Sequence, residues 1–395
     1  MPDQPIALVL AGGGARGAYE AGVLSVILPA LPADQRPNLI VGSSVGAING
    51  AYIAATLPDG IDVALETGAA IWEGIRWGDV LASPSKRDID RIVRGTLNFT
   101  GLISLHVPAL LDASPLAGTL ERVIAFDRIA EHVASGRLLS AAVVATSAHS
   151  GRSVVFHCGG TPDDVRDDKR RIDYVPTILN EQHVRASSAI PALFPAVEIE
   201  DGPAAGWYFD GGTRMNAPIK PALSLGAERV IVIGLNSIAP AGDERIAGPE
   251  RPDLVAGGAQ IIDALLADPL VADIQTLTTI NALVGDRTVA GHRQVPYIFV
   301  APPARDTIGE IARAVYRRHY GGLLQARRSP QLAFLGRFLD ADADALHGEL
   351  LSYLFFAPEF ARELVKLGRA DAEGWLAEPH DDGLWDTGPL GRALR

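Results

Sequence analysis

The stretch Asn38-Leu39-Ile40-Val41-Gly42-Ser43-Ser44-Val45-Gly46 decides how this chain is read. Its first four residues form a short apolar run of strand type, and Val45–Thr56 continues as a helical pattern of small residues. Between them stands Gly-x-Ser-x-Gly at a strand-to-helix junction, the setting in which that spacing carries a mechanical meaning. The turn must be sharp, so its central residue takes a strained backbone, and the flanking glycines remove side chains that would collide. Ser44 would then stand at a helix N-terminus, where developing negative charge is favoured. A chain with 41 glycines also meets this spacing by chance. The flanking strand and helix are what make Ser44 a candidate nucleophile.

Upstream, Ile6–Leu10 reads as a strand and Ala15–Leu28 as a helix that stops at Pro29. The run Gly12-Gly13-Gly14-Ala15-Arg16-Gly17 lies at their junction. Such a run turns backbone N–H groups toward an anion, either a phosphate or a transient oxyanion. Gly12, Gly14 and Gly17 also satisfy G-x-G-x-x-G, with Asp34 near the acidic position of a dinucleotide fold. That acid should end a second strand, whereas Asp34 sits among Pro29, Pro32 and Pro37. No Gly-Lys-Ser/Thr follows to make a P-loop. A tight turn without a ligand is the plain alternative.

Downstream, Leu139–Thr146 with Ser153–His157, and Glu198–Glu200 with Trp207–Phe209, read as two hairpins. Arg229–Ile233 reads as a strand buried on both faces, and Tyr297–Val300 as the last strand. Ile308–Leu324, Gln331–Leu339 and Pro358–Leu367 carry helical spacing. Tyr353-Leu354-Phe355-Phe356 reads as a contact within that helical core, with a cover over the site or a membrane contact as alternatives. Ala239–Pro252 and the charge-dense Asp163–Asp173 are expected to be loops. The alternation of short strands and longer helices predicts an α/β protein with a mostly parallel sheet. The expected organisation is a catalytic core at 1–236, further elements of the same domain at 237–305, and a helical region at 306–395, a subdomain or lid.

The chain has 395 residues, 48% apolar and 21% charged, which is ordinary usage for a folded protein. A net charge of −12, with no basic run beyond Lys169-Arg170-Arg171, excludes nucleic acid as a partner and argues against electrostatic docking to anionic membranes. The single cysteine, Cys158, leaves no internal disulfide and no cysteine-based zinc site. No metal-ligand cluster is visible. The first apolar run lacks a basic leader and no window is long enough to span a bilayer, so the expectation is a cytoplasmic protein that meets lipid only at a surface.

A serine nucleophile needs a base. An α/β-hydrolase triad would draw it from His292, His319, His347 or His380, none of which sits in a recognisable strand-end loop. Asp210-Gly211-Gly212 is the stronger candidate, an acid at the end of the Trp207–Phe209 strand with a permissive loop after it. The same residues also make an ordinary turn. Trp207, Tyr208 and Phe209 would supply the apolar setting that a carboxylate base requires.

Gly12–Gly17, the elbow at Ser44, Arg185-Ala186-Ser187-Ser188-Ala189-Ile190-Pro191-Ala192-Leu193-Phe194-Pro195 and Asp210-Gly211-Gly212 occur in this order within Ile6–Gly234. Together they resemble the motifs of patatin-like phospholipases. The loop begins Ala11-Gly12 where plant patatins tend to have Asp-Gly. The resemblance implies a three-layer α/β sandwich with a mostly parallel central sheet and a Ser44–Asp210 dyad that works without histidine. It implies an oxyanion hole from the N–H groups of Gly13 and Gly14. Gly12, Gly17, Gly42, Gly46, Gly211 and Gly212 would support the motifs, and Arg16 would fix the loop. The implied activity is hydrolysis of lipid esters, of phospholipase A or lysophospholipase type, with transient contact at a membrane surface and no cofactor. A His-dependent esterase, a dinucleotide-binding oxidoreductase and a lipid-binding scaffold without catalysis are the alternatives. Asn98–Leu111 is expected to form a wall of the acyl pocket, or else core beneath a loop.

Overall fold

Apolar β-branched runs pair best where both faces are covered, and the first strands of this chain do so. The computed structural model describes residues 4–82, 109–238, 254–285, 287–288, 293–322, 329–339 and 345–389. Its strands are β1 (Ile6–Leu10), β2 (Leu39–Ser43), β3 (Ser140–Ser147), β4 (Ser153–Gly159), β5 (Arg166–Asp167), β6 (Ile172–Pro176), β7 (Val197–Ile199), β8 (Gly206–Asp210), β9 (Arg229–Ile233) and β10 (Tyr297–Val300). They join one sheet in the order β10-β9-β1-β2-β3-β4-β6-β5, with the β7–β8 hairpin attached to β3. From β10 to β3 every pairing is parallel; β3 with β4 and β7 with β8 are antiparallel, as the hairpin reading predicts. The core lies along β1 and β9, whose apolar side chains are fully buried.

Helices flank this mostly parallel sheet. They are α1 (Gly17–Ala30), α2 (Val45–Thr56), α3 (Ile61–Gly74), α4 (Trp77–Val80), α5 (Pro115–Val123), α6 (Phe126–Ala134), α7 (Glu181–Ser187), α8 (Ile219–Ser224), α9 (Leu254–Val284), α10 (Thr307–His319), α11 (Pro330–Phe338), α12 (Ala345–Leu354) and α13 (Pro358–Ala377). The small residues of α2 let it lie close on the sheet; a methyl group on Gly50 would stand 3.3 Å from Ile40. The C-terminal helices pack onto the first ones. Tyr19 on α1 donates its hydroxyl to Asp371 on α13 at 2.8 Å, and the two backbones run so close that a methyl group on Gly22 would stand 2.3 Å from the Val365 carbonyl oxygen.

Several boundaries differ from the sequence reading. α1 continues through Pro29 to Ala30, because a proline in the last turn forfeits only one terminal hydrogen bond. The charge-dense Asp163–Asp173 holds β5 and the start of β6, where Ile172 and Tyr174 point into the core. Their two-residue period is hidden among charges. Leu254–Val284 forms one helix, although it carries Pro269 and its sequence lacks clear start signals. Ala239–Pro252 lies outside the described residues.

The α1–α13 crossing makes a stability test. A methyl group on Gly368 would come 2.3 Å from the Tyr19 carbonyl oxygen, whereas Gly374 has nothing within 4 Å. Gly368→Val should cost about 1–3 kcal/mol in chemical denaturation, and Gly374→Ala should leave stability equal or slightly higher.

Candidate active site

Strand register brings two distant residues together. Along one edge of β3, β2 pairs as far as Ser43 opposite Val144, and β8 takes over with Asp210 opposite Ala145. The last residue of β2 and the last of β8 therefore meet end to end on neighbouring positions of one strand. Ser44 follows β2 directly, and its Oγ donates a hydrogen bond to Asp210 Oδ2 at 2.5 Å across 166 residues of sequence.

Ser44 stands at φ 54°, ψ −125°, a conformation that non-glycine residues rarely adopt. Packing holds it there. A methyl group on Gly42 would meet the Gly46 carbonyl at 2.0 Å, and one on Gly46 would meet the Leu10 carbonyl at 2.3 Å, so the turn closes only with glycine on both sides. The Ser44 N–H donates to Ser187 Oγ at 2.9 Å, and the Ser187 hydroxyl donates on to the Val144 carbonyl at 2.5 Å. Ser188 donates its hydroxyl to the Ser44 carbonyl at 3.1 Å. The Arg185–Pro195 block thus braces the elbow from outside, a role its sequence did not disclose.

Asp210 is 1% exposed, and Ser44 3%. Burial pushes the Asp210 carboxyl up to about 7, against hydrogen bonds from Ser44 and from the Gly212 N–H at 2.7 Å, both of which favour the ionised form. The expected apolar setting is only partly right. Tyr208 is buried on the same face of β8 as Asp210, but Trp207 points outward and is 53% exposed, as strand alternation requires.

The glycine loop runs beside the serine; a methyl group on Gly12 would stand 3.0 Å from Ser44 Cβ. The Gly12 N–H is taken by Asn216 Oδ1 at 2.8 Å, and Asn216, six residues past Asp210, had not been singled out. No described residue accepts a hydrogen bond from the N–H of Gly13 or Gly14. Arg16 is buried, facing α12. Asp34 lies in a short turn before β2 rather than at its end, away from the acidic position of a dinucleotide site.

A cavity opens at Ser44 and Gly14, with nearly all its walls apolar. Ile48, Leu65, Trp72 and Leu120 from α2, α3 and α5 line it, with Phe194 and Phe356. Asn49 sets the Trp72 indole by accepting its N–H at 2.9 Å and is itself held by donating to the buried Glu20 at 2.7 Å. These helices were not read as pocket walls, since their apolar faces look like ordinary core. Residues 98–108 of the expected wall lie outside the described residues, and Ala109–Leu111 do not line the cavity. Tyr353–Phe356 is buried core, and Phe356 at its end closes part of the cavity.

No described histidine bonds to Ser44. The His319 ring lies tilted 6.4 Å from that of Tyr320, His380 contacts Trp375 and Asp386, and His292 lies outside the described residues. Among the described residues no three His, Cys, Asp or Glu side chains converge as a metal site would require.

Residues 8–223, more than half of the chain, match the sequence profile of the family described as patatin-like phospholipase. Among solved structures, VipD from Legionella pneumophila is 14% identical with a TM-score of 0.33, covering 76% of this chain. The chain spans 61% of the length of VipD. The heterodimeric ExoU–SpcU complex from the type III secretion system of Pseudomonas aeruginosa is likewise 14% identical, with a TM-score of 0.25 over 94% of this chain and 75% of that one. No curated protein matches.

The buried acid predicts a pH signature in stability. An unfolded Asp210 titrates near 3.8 and the folded one near 7, so between these values the folded protein holds a proton that the unfolded chain has released. Stability contributed by this group is therefore lost as pH rises through that window. Asp210→Asn escapes the loss, so its melting temperature should match wild type at pH 4 and exceed it at pH 8.

Proposed function

The chain belongs to the patatin-like phospholipases, a family of lipid acyl hydrolases, and from that premise we propose that it cleaves ester bonds of lipids through Ser44 and Asp210. The hydrogen bond between these two side chains, at the mouth of an apolar cavity, is the observation that carries the reading. The acyl chain enters the cavity and places its carbonyl carbon against Ser44 Oγ. Asp210 Oδ2 takes the hydroxyl proton as Oγ attacks, and the carbonyl oxygen becomes an oxyanion held by the N–H groups of Gly13 and Gly14. Collapse breaks the ester C–O bond, and Asp210 returns its proton to the departing alcohol. Water then repeats the cycle on the acyl-enzyme.

Each part has a physical warrant. A carboxylate of ordinary pKa is a poor base for a hydroxyl, and one raised to about 7 is matched to neutral pH. Donors preorganised toward the developing charge are usually the largest catalytic contribution, about 10²–10³ in rate for each. The walls around Trp72, Leu120 and Phe194 suit a hydrocarbon chain and offer nothing to a dinucleotide. We place the catalytic core at 1–236. Pairing of β10 with β9 supports joining 237–305 to that domain, and 306–395 forms the helical region beside it. Among the described residues no helix is long and apolar enough to cross a membrane, and we propose that the lipid is met by transient contact at a bilayer surface.

Hydrolysis of a p-nitrophenyl acyl ester series tests this reading. Ser44→Ala and Asp210→Asn should each lose at least about 10³-fold in kcat/KM, with longer acyl chains preferred by wild type. His319→Ala, His347→Ala and His380→Ala should retain activity; a collapse in any of them, with Asp210→Asn surviving, would assign the base to histidine. The wild-type rate should rise with unit slope up to about pH 7 and then level, since only ionised Asp210 accepts the proton. A wild type inert on every ester would leave a lipid-binding scaffold.

A further inference from the structure

Arg16 lies near the end of the glycine loop, yet only 1% of it is exposed. A guanidinium survives such burial only if its charge is paired and its N–H groups are used. Here they are used largely by α12. Nε donates to Ser352 Oγ at 2.7 Å, and one Nη donates to the Glu349 carbonyl at 3.1 Å and ion-pairs with the Glu349 carboxylate. The other Nη donates to Asn236 Oδ1 at 2.6 Å. The guanidinium carbon sits 3.8 Å from the centre of the Tyr353 ring, and the Tyr353 hydroxyl donates to the same Asn236 oxygen at 3.3 Å. Glu349 is fixed in turn, its second oxygen accepting the Gly309 N–H of α10 at 3.0 Å.

The backbone makes the same contact. Gly14, at φ 59°, lies so close to α12 that a methyl group on it would stand 2.2 Å from the Tyr353 carbonyl oxygen. One helix therefore touches the loop twice, through the Arg16 side chain and through the Gly14 main chain. Glu349, Ser352 and Tyr353 all lie beyond residue 223, where the family match ends.

We propose that α12 completes the oxyanion hole: Glu349, Ser352 and Tyr353, acting through Arg16, hold the N–H groups of Gly13 and Gly14 where the oxyanion forms. Glu349 is a positioning residue that never touches substrate. The inference rests on the Ser44, Gly13 and Gly14 reading above. Its physical basis is the steepness of donor alignment, in which a displacement of about 1 Å can lower a rate about 10²-fold.

The test measures ester hydrolysis and fluorophosphonate labelling in wild type, Glu349→Gln, Ser352→Ala, Arg16→Gln and the double variant Arg16→Gln/Glu349→Gln. The labelled fraction counts intact Ser44 sites, while the labelling rate and kcat depend on the oxyanion donors. Glu349→Gln should label to full stoichiometry but slowly, with kcat per labelled site down about ten- to a hundredfold and KM within about twofold. Ser352→Ala, which leaves no charge unpaired, should show a smaller loss of the same kind and decides the matter if Glu349→Gln fails to fold. In the Arg16→Gln background, Glu349→Gln should have no further effect, because both act through one contact. Normal kcat per labelled site in Glu349→Gln and Ser352→Ala would overturn the proposal, as would an undiminished Glu349→Gln effect without Arg16. A wild type that hydrolyses esters but escapes labelling at Ser44 would overturn the dyad itself, and this inference with it.

Discussion

One strand edge carries the site. β3 presents its backbone to β2 up to Val144 and to β8 from Ala145 onward, so two strands that never pair with each other end at the same place. A shift of one residue in either register would turn Ser44 or Asp210 to the other face of the sheet, since side chains alternate with a period of two. The strain at Ser44 is tolerated because the surroundings over-determine it. Gly46 is pressed onto the Leu10 carbonyl, and Ser187 bridges the Ser44 N–H to Val144 on the same strand edge. The elbow, the acid and the brace are all fastened to β3.

Two buried ionisable groups meet opposite treatments around this edge. No cationic side chain among the described residues pairs with Asp210, and desolvation moves its titration toward neutrality, which is the property a carboxylate base requires. Arg16 is buried just as deeply but is paired, stacked and hydrogen-bonded, so its charge persists and serves as an anchor. In the proposed mechanism the first environment tunes a proton acceptor and the second fixes the glycine loop. The apolar cavity beside them is walled mainly by α2, α3 and α5, with Phe194 and the C-terminal Phe356 closing part of it.

Local patterns were legible wherever burial imposed a clear period. Ile6–Leu10, Arg229–Ile233 and Tyr297–Val300 are continuous apolar runs because both faces are covered, and the two hairpins were marked by their turns. β6 was missed because charged neighbours mask Ile172 and Tyr174, and α9 because Pro269 breaks the expected signature. Trp207 does not join the expected apolar setting, because a run of three aromatics looks uniformly apolar until strand alternation separates its faces. The cavity was sought in 98–111, although its described walls come from helices whose inward faces look like any core.

By itself the sequence determined an α/β fold with a strand–turn–helix at Ser44, a glycine loop after the first strand and an acid at the end of a later one. These are local consequences of periodicity and of glycine spacing. Tertiary structure alone decided that Ser44 and Asp210 lie 2.5 Å apart, that Asp210 titrates near 7, and that Arg16 is held by a helix more than 300 residues away. Contact across such separations depends on strand register and helix packing, and desolvation depends on everything packed around a group. Neither quantity is written in a short window of residues.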